Sequence, residues 1–321
     1  MIAVHGLTKQ FQTATGTVEA VAGVSFDVAD GELVAVLGPN GAGKSTTLRM
    51  LTTLLAPTSG TATVAGHDIV ADPAGVRRSI GFIGQGNGAG HSYRVDDELV
   101  SQGRFYGLGR ADARKKAAEL LDVLDLADLA KRTVSTLSGG QRRRLDIAMG
   151  LVNDPRVLFL DEPSTGMDPS NRAGLWDHIS AIRRRTGATV VLTTHYLEEA
   201  DAMAERVIII DAGRIIANDT AANLKRSLGG DRITVTVAHD HSEVAERVIR
   251  KRGEPSVTRR GDGVEVSVGV ATADTELIGL ITDLRDAAVD VLGVRQRQPS
   301  LDDVFLQLTG RSLEDAPAVA A

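Results

Sequence analysis

Short, uninterrupted apolar runs recur along this chain, separated by stretches whose apolar residues return every three or four positions. The runs at 33–37 (Leu-Val-Ala-Val-Leu), 157–160 (Val-Leu-Phe-Leu) and 189–193 (Thr-Val-Val-Leu-Thr) show no polar alternation. All three read as strands, and the 157–160 run fits one buried on both faces of a parallel sheet. Residues 2–7, 18–28, 61–65 and 80–83 read as further strands, with Phe11 in a polar stretch between the first two and a hairpin over 206–217. From about 95 to 129 the spacing turns helical through Leu99, Phe105, Tyr106, Ala117, Leu120, Leu121, Leu124 and Leu126. Ser138 and Gln141 are placed as a capping box for a helix whose apolar face is Leu145, Ile147, Ala148 and Leu151. Asp168 and Pro169 open another helix, as N-cap and first helical residue. Strands alternating with helices over this length predict an α/β fold with a mainly parallel sheet. After Gly229-Gly230, strands at 233–237, 264–268 and 289–294 alternate with helices at 243–250, 275–284 and 301–308. The expected division is a first domain over 1–228, a small α+β domain over 229–310 and a disordered tail over 311–321.

Gly38-Pro39-Asn40-Gly41-Ala42-Gly43-Lys44-Ser45 lies between the 33–37 run and a helix-like pattern over 46–55. This is the P-loop pattern G-x-x-x-x-G-K-[ST] in a strand–loop–helix setting. Backbone N–H groups wrap a phosphate only where no Cβ intrudes, hence Gly38, Gly41 and Gly43. Lys44 offers a point charge to the β- and γ-phosphates, and the Ser45 hydroxyl can ligate Mg²⁺. The N-terminal end of the helix, with Thr46, completes the phosphate-binding set. The chain is therefore expected to bind a nucleoside triphosphate. Asp161-Glu162 ends the 157–160 run, where α/β sheets bind ligands. Beside a P-loop, Asp161 suits Mg²⁺ and Glu162 suits polarising the attacking water. Without one, such a pair would read as a helix cap or a solvated turn.

At 321 residues the chain can hold one large or two modest domains. A net charge of -6 argues against a protein that coats nucleic acid. The basic clusters Arg142-Arg143-Arg144 and Arg183-Arg184-Arg185 read as solvated helix faces. The absence of cysteine removes disulfides, thiolate metal sites and a cysteine nucleophile, and suits a reducing cytosol. Neither a signal peptide at the N-terminus nor an apolar stretch long enough to span a bilayer is evident. Work at a membrane is expected to go through a partner.

Leu137-Ser138-Gly139-Gly140-Gln141 matches the LSGGQ signature of the ATP-binding cassette (ABC) ATPases, in that family's order: P-loop, Gln85, signature, Asp161-Glu162, His195. The resemblance covers residues 1 to about 228 and implies a P-loop cassette with a helical subdomain over about 88–152. It implies that Phe11 stacks on adenine, although Tyr is commoner there, and that Gln85 joins Ser45 and Asp161 around Mg²⁺. It further implies that Ser164-Thr165-Gly166-Met167-Asp168 forms the D-loop facing a second protomer, and that His195 contacts the γ-phosphate. One P-loop and one signature imply a homodimer with two ATP molecules sandwiched between copies. Arg77-Arg78-Ser79-Ile80-Gly81, 196–201 (Tyr-Leu-Glu-Glu-Ala-Asp) and 299–306 (Pro-Ser-Leu-Asp-Asp-Val-Phe-Leu) are similar to the daunorubicin-resistance ATPase subfamily. That implies an exporter ATPase that serves separate membrane permease subunits, at the cytoplasmic face of the membrane, with a drug, antibiotic or lipid as cargo. A soluble regulatory or DNA-maintenance ATPase without transport is the alternative.

Overall fold

The computed structural model describes residues 1–14, 16–86, 88–228, 230–260 and 263–310. The expected tail at 311–321, Asn87 and Gly229 lie outside the described residues. The chain forms two compact units, Met1–Asn218 and a second beginning at Asp219, earlier than the Gly229-Gly230 pair.

The first unit runs β1 (Ile2–Thr13), β2 (Gly16–Val28), β3 (Leu33–Leu37), α1 (Lys44–Leu51), β4 (Ser59–Val64), β5 (His67–Asp68), α2 (Pro73–Ser79) and β6 (Ile80–Ile83). Three helices follow, α3 (Val95–Phe105), α4 (Arg110–Val123) and α5 (Gly139–Leu151). It ends with β7 (Val157–Asp161), α6 (Pro169–Thr186), β8 (Thr189–Thr194), α7 (Leu197–Met203), β9 (Arg206–Asp211) and β10 (Arg214–Asp219). Its central sheet has the order β10-β9-β3-β8-β7-β6. From β9 to β6 the pairings are parallel. Every residue of β3, β7 and β8 is buried, as unalternated apolar runs require. A smaller sheet, β2-β1-β4-β5, shares its core, with Val4, Leu7 and Val24 clustering with Val34, Val36 and Phe159.

Local expectations shift in four places. β1 runs through Phe11, paired with Val18, so Phe11 lies on a strand rather than in a polar connection. α1 begins at Lys44 and stops at Leu51, because Thr53 takes a left-handed φ of 62°. The helical stretch over 95–129 breaks into α3 and α4. Phe105 is 91% exposed, since six positions past buried Leu99 falls about 120° off the buried stripe.

The second unit holds α8 (Ala221–Arg226), β11 (Asp231–Val237), α9 (Ser242–Ile249), β12 (Ser256–Arg260), β13 (Gly263–Val270), α10 (Ala273–Asp286), β14 (Val291–Arg297) and α11 (Leu301–Thr309). The strand order β12-β13-β11-β14, all antiparallel, with α9 and α10 as connections, is the ferredoxin-like βαββαβ arrangement. Ile233, Val235, Val237, Val264, Val266 and Val268 alternate inward and pack with Ile249 and Leu280. β12 escapes a hydrophobic reading because Val257 is its only apolar residue. Ser300 and Asp303 form a capping box on α11, which packs against α8 and buries Leu301, Val304 and Phe305. Leu308, expected on the same face, is 48% exposed in the last turn. Phe305 has no exposed surface, so Phe305→Ala is expected to lower the stability of this unit by about 3–5 kcal/mol in chemical denaturation. An unchanged midpoint would contradict that packing.

Candidate functional site

Parallel pairing brings the carboxyl ends of four strands to one sheet edge. Leu37 pairs with Thr194, Asp161 with Thr193, and Ile83 with Leu160. Gly38, Glu162, His195 and Gly84 are the next residues along these strands, so the loop at each carries its side chains to the same edge. The P-loop spans Gly38 to Gly43 between β3 and α1. Cβ atoms at Gly38 and Gly43 would lie 2.1 Å from Ile210 O and 2.4 Å from Ala20 O, and both residues, like Gly41, have left-handed φ. Only glycine fits there. Lys44 is buried and donates to Gly38 O at 2.7 Å and Pro39 O at 3.0 Å, and its Nζ lies 3.8 Å from Glu162. Burial lowers the Lys44 pKa against the opposing pull of Glu162 and Asp161.

Asp161 accepts hydrogen bonds from Ser45 Oγ at 2.8 Å and Thr193 Oγ1 at 2.7 Å. Gln85 Nε2 stands 3.4 Å from Ser45 Oγ, so the three expected metal-site residues converge. Glu162 adopts a left-handed φ of 49°, a conformation costing a non-glycine residue about 1–3 kcal/mol. Its amide is held by Thr193, donating to the carbonyl at 3.1 Å and to Oγ1 at 3.0 Å. The Glu162 carboxylate accepts from Thr165 Oγ1 at 3.1 Å. His195 Nδ1 lies 3.4 Å from it, within ion-pair range but without hydrogen-bond alignment. A cation, a serine hydroxyl, two carboxylates and an imidazole therefore meet at one edge, with one carboxylate turned by strained backbone toward Lys44. That array can hold phosphates and accept a proton from water.

The signature segment opens α5. Ser138 Oγ accepts from Gln141 N, Gln141 Oε1 accepts from Ser138 N, and the segment's anchor, Leu137, is buried. Ser138 and Gly139 are exposed and Gly140 half-buried, at a helix end whose first amides lack intrahelical acceptors. In the D-loop segment Ser164 is buried, Thr165, Gly166 and Asp168 are exposed, and Asp168 caps α6 by accepting from Asn171 N. Phe11, 37% exposed with Lys9 Nζ 5.2 Å from its ring, sits on the β1–β2 hairpin. Farther along β2, the Ala20 carbonyl abuts Gly43.

Several residues at this edge were given no individual role by the sequence. Thr193 reads as one more β-branched strand residue, yet it braces both Asp161 and Glu162. Tyr196 follows His195, with ring centroids 4.1 Å apart, and Arg172 stacks 4.0 Å over Tyr196 while standing 3.5 Å from the buried Glu199. Arg143, read as part of a solvated cluster, is buried, and so is Asp146 one turn on. An oppositely charged pair at i, i+3 among Leu145, Ile147 and Ala148 was the available clue.

Residues 21–165 match the model of the ABC transporter family, and 220–309 match that of the DrrA1-3-like ATP-binding protein C-terminal domain. A daunorubicin resistance ATP-binding protein of Streptomyces coeruleorubidus is 43% identical, over 96% of this chain and 96% of its own length. A linearmycin resistance ATP-binding protein of Bacillus subtilis is 34% identical, over 96% and 99%. Among solved structures, a dimeric ATP-binding cassette bound to ADP and Pi covers 68% of this chain and 98% of its own, at TM-score 0.63 and 26% identity. The chain thus belongs to the ABC transporter family, as an ATP-binding and ATP-hydrolysing exporter subunit of the daunorubicin-resistance group.

Proposed function

We propose that two copies of this chain bind Mg·ATP, close with both nucleotides sandwiched, and drive efflux of a drug, antibiotic or lipid through separate membrane subunits. Lys44, Ser45, Thr46 and the amides from Gly38 to Gly43 take the phosphates, and Phe11 stacks on adenine. Ser45 and Asp161 present the hard oxygen donors that Mg²⁺ prefers, with the Gln85 amide beside Ser45, and no group of three His, Cys, Asp or Glu that could hold another metal occurs among the described residues. Bound there, Mg²⁺ would neutralise phosphate charge. Glu162 orients and deprotonates the attacking water, and His195 reaches the γ-phosphate. Leu137, Ser138, Gly139, Gly140 and Gln141 serve the nucleotide of the partner copy, with 164–168 facing it.

The observation that carries this reading is the pairing of a phosphate-and-carboxylate edge with an exposed helix N-terminus. The second is an anion site available to another molecule. Among the described residues no helix is long and apolar enough to cross a membrane, so transport requires embedded partners. The 86–107 region, with Phe105 and Tyr106 exposed, suits such docking, which would hold the chain at the cytoplasmic face of the membrane. Purification of the complex from native membrane should yield a copurifying polytopic subunit. Recovery of the chain with no membrane-embedded partner would count against export.

The second unit supports assembly in this reading. A chain ending at Asn218 keeps every nucleotide motif, and is expected to bind ATP while pairing or transporting poorly. Undiminished assembly and transport by that shortened chain would remove the assembly role. Loss of ATP binding in a folded product would show that the two units are not separable.

A further inference from the structure

Arg143 is buried, and its guanidinium gathers backbone from two separate strand ends. Nη1 donates to Gly84 O at 2.6 Å, Nε to Pro163 O at 2.8 Å, and Nη2 approaches Asp161 O at 3.4 Å and Glu162 O at 3.5 Å. Gly84 precedes Gln85, whereas 161–163 carries the carboxylates. One turn later on α5, Asp146 accepts from Gly88 N at 2.9 Å and Ala89 N at 3.3 Å, on the far side of Gln85. Arg143 and Asp146 share a helix face at i, i+3. Together they tie the helix that begins with the signature to both flanks of Gln85 and to the backbone of Glu162. Burial disfavours both charges, lowering the Arg143 pKa and raising that of Asp146, and each partly relieves the other. A buried charge is costly, so a structural role alone would be served as well by an apolar side chain. What an apolar residue lacks is a planar fork of five donors that fixes several carbonyls at once.

We propose that Arg143 is a positioning residue for hydrolysis: anchored by Asp146, it holds the left-handed turn at Glu162 and the start of the Gln85 loop in fixed relation to the signature helix. The role rests on the assignment of Glu162 as the water-orienting carboxylate. The contacts of Arg143 are to backbone carbonyls, and through them it sets where the Glu162 carboxylate stands. Lysine at this position keeps the charge but gathers its three donors on one nitrogen, so it cannot span the carbonyls of Gly84 and Pro163 in the fixed geometry of the planar fork.

The test is Arg143→Lys in the full-length chain, alone and combined with Glu162→Gln, with Arg143→Gln as a neutral second variant. For folded Arg143→Lys, kcat should fall about 10–100-fold, the range for groups that orient a reacting one, with KM for ATP close to the wild-type value. In single-turnover cleavage, the same substitution should cost little once Glu162 is already Gln, because the position being held no longer matters. Wild-type kcat in either folded variant would overturn the proposal. So would equal losses with and without the Glu162 carboxylate, or a loss confined to KM or melting temperature, which a purely structural residue would give. Wild-type hydrolysis by Glu162→Gln alone would instead remove the assignment on which the role rests.

Discussion

Glu162→Gln is expected to leave ATP binding intact and cut steady-state hydrolysis by about 100- to 10,000-fold, the usual contribution of a positioned general base. The carboxamide has nearly the same shape, and the main-chain bonds that set the turn do not involve the side chain: the Glu162 amide still donates to Thr193, and the Arg143 guanidinium still faces the carbonyls. Thr165 Oγ1 keeps an oxygen acceptor. What disappears is the charge standing 3.8 Å from Lys44 and 3.4 Å from His195, and with it the ability to take a proton from water. With binding preserved and turnover blocked, the pair should persist as an ATP-bound dimer. Gel filtration with ATP and a phosphate-release assay read both effects. Hydrolysis at the wild-type rate would eliminate Glu162 from the chemistry.

Lys44→Ala should act earlier, on binding itself. Its ammonium is the buried cation of the loop, and charge-assisted hydrogen bonds contribute about 1.5–3 kcal/mol each, so ATP affinity should weaken by about 10- to 150-fold. Ser138→Arg places a bulky charge on the exposed signature, away from Lys44 in sequence and leaving the P-loop of its own chain untouched. It should bind ATP as a monomer and fail to close. Mixed together, the two inactive variants form heterodimers in which one composite site carries both lesions and the other carries none. Because neither variant closes on itself, closed pairs are heterodimers with one sound site of two, and an equal mixture should recover up to about half of the wild-type rate. Titration calorimetry gives the binding half of the prediction and a mixing curve gives the rest. If heterodimers are verified and hydrolysis stays absent, the sites are not shared between copies.

The sequence by itself determined the features whose physics closes within a turn or a single strand. Unalternated apolar runs became fully buried β3, β7 and β8, because a strand covered on both faces has no polar side to show. Gly38 and Gly43 stand where any Cβ would strike backbone. Ser138 with Gln141, and Asp168 with Pro169, opened their helices as local hydrogen bonding demands. Only the tertiary structure decided what depends on groups arriving from elsewhere in the chain. The register that sets Asp161 against Thr193, and so braces the carboxylates, is a pairing between distant strands. Leu308 fits the apolar period of its helix yet stays half exposed, since period does not say where a neighbouring element stops. In sequence, Arg143 differs from Arg142 and Arg144 only in standing three residues before Asp146. It became the buried member because the carbonyls of Gly84 and Pro163, brought together by folding, offer the desolvated guanidinium the hydrogen bonds that water would otherwise supply.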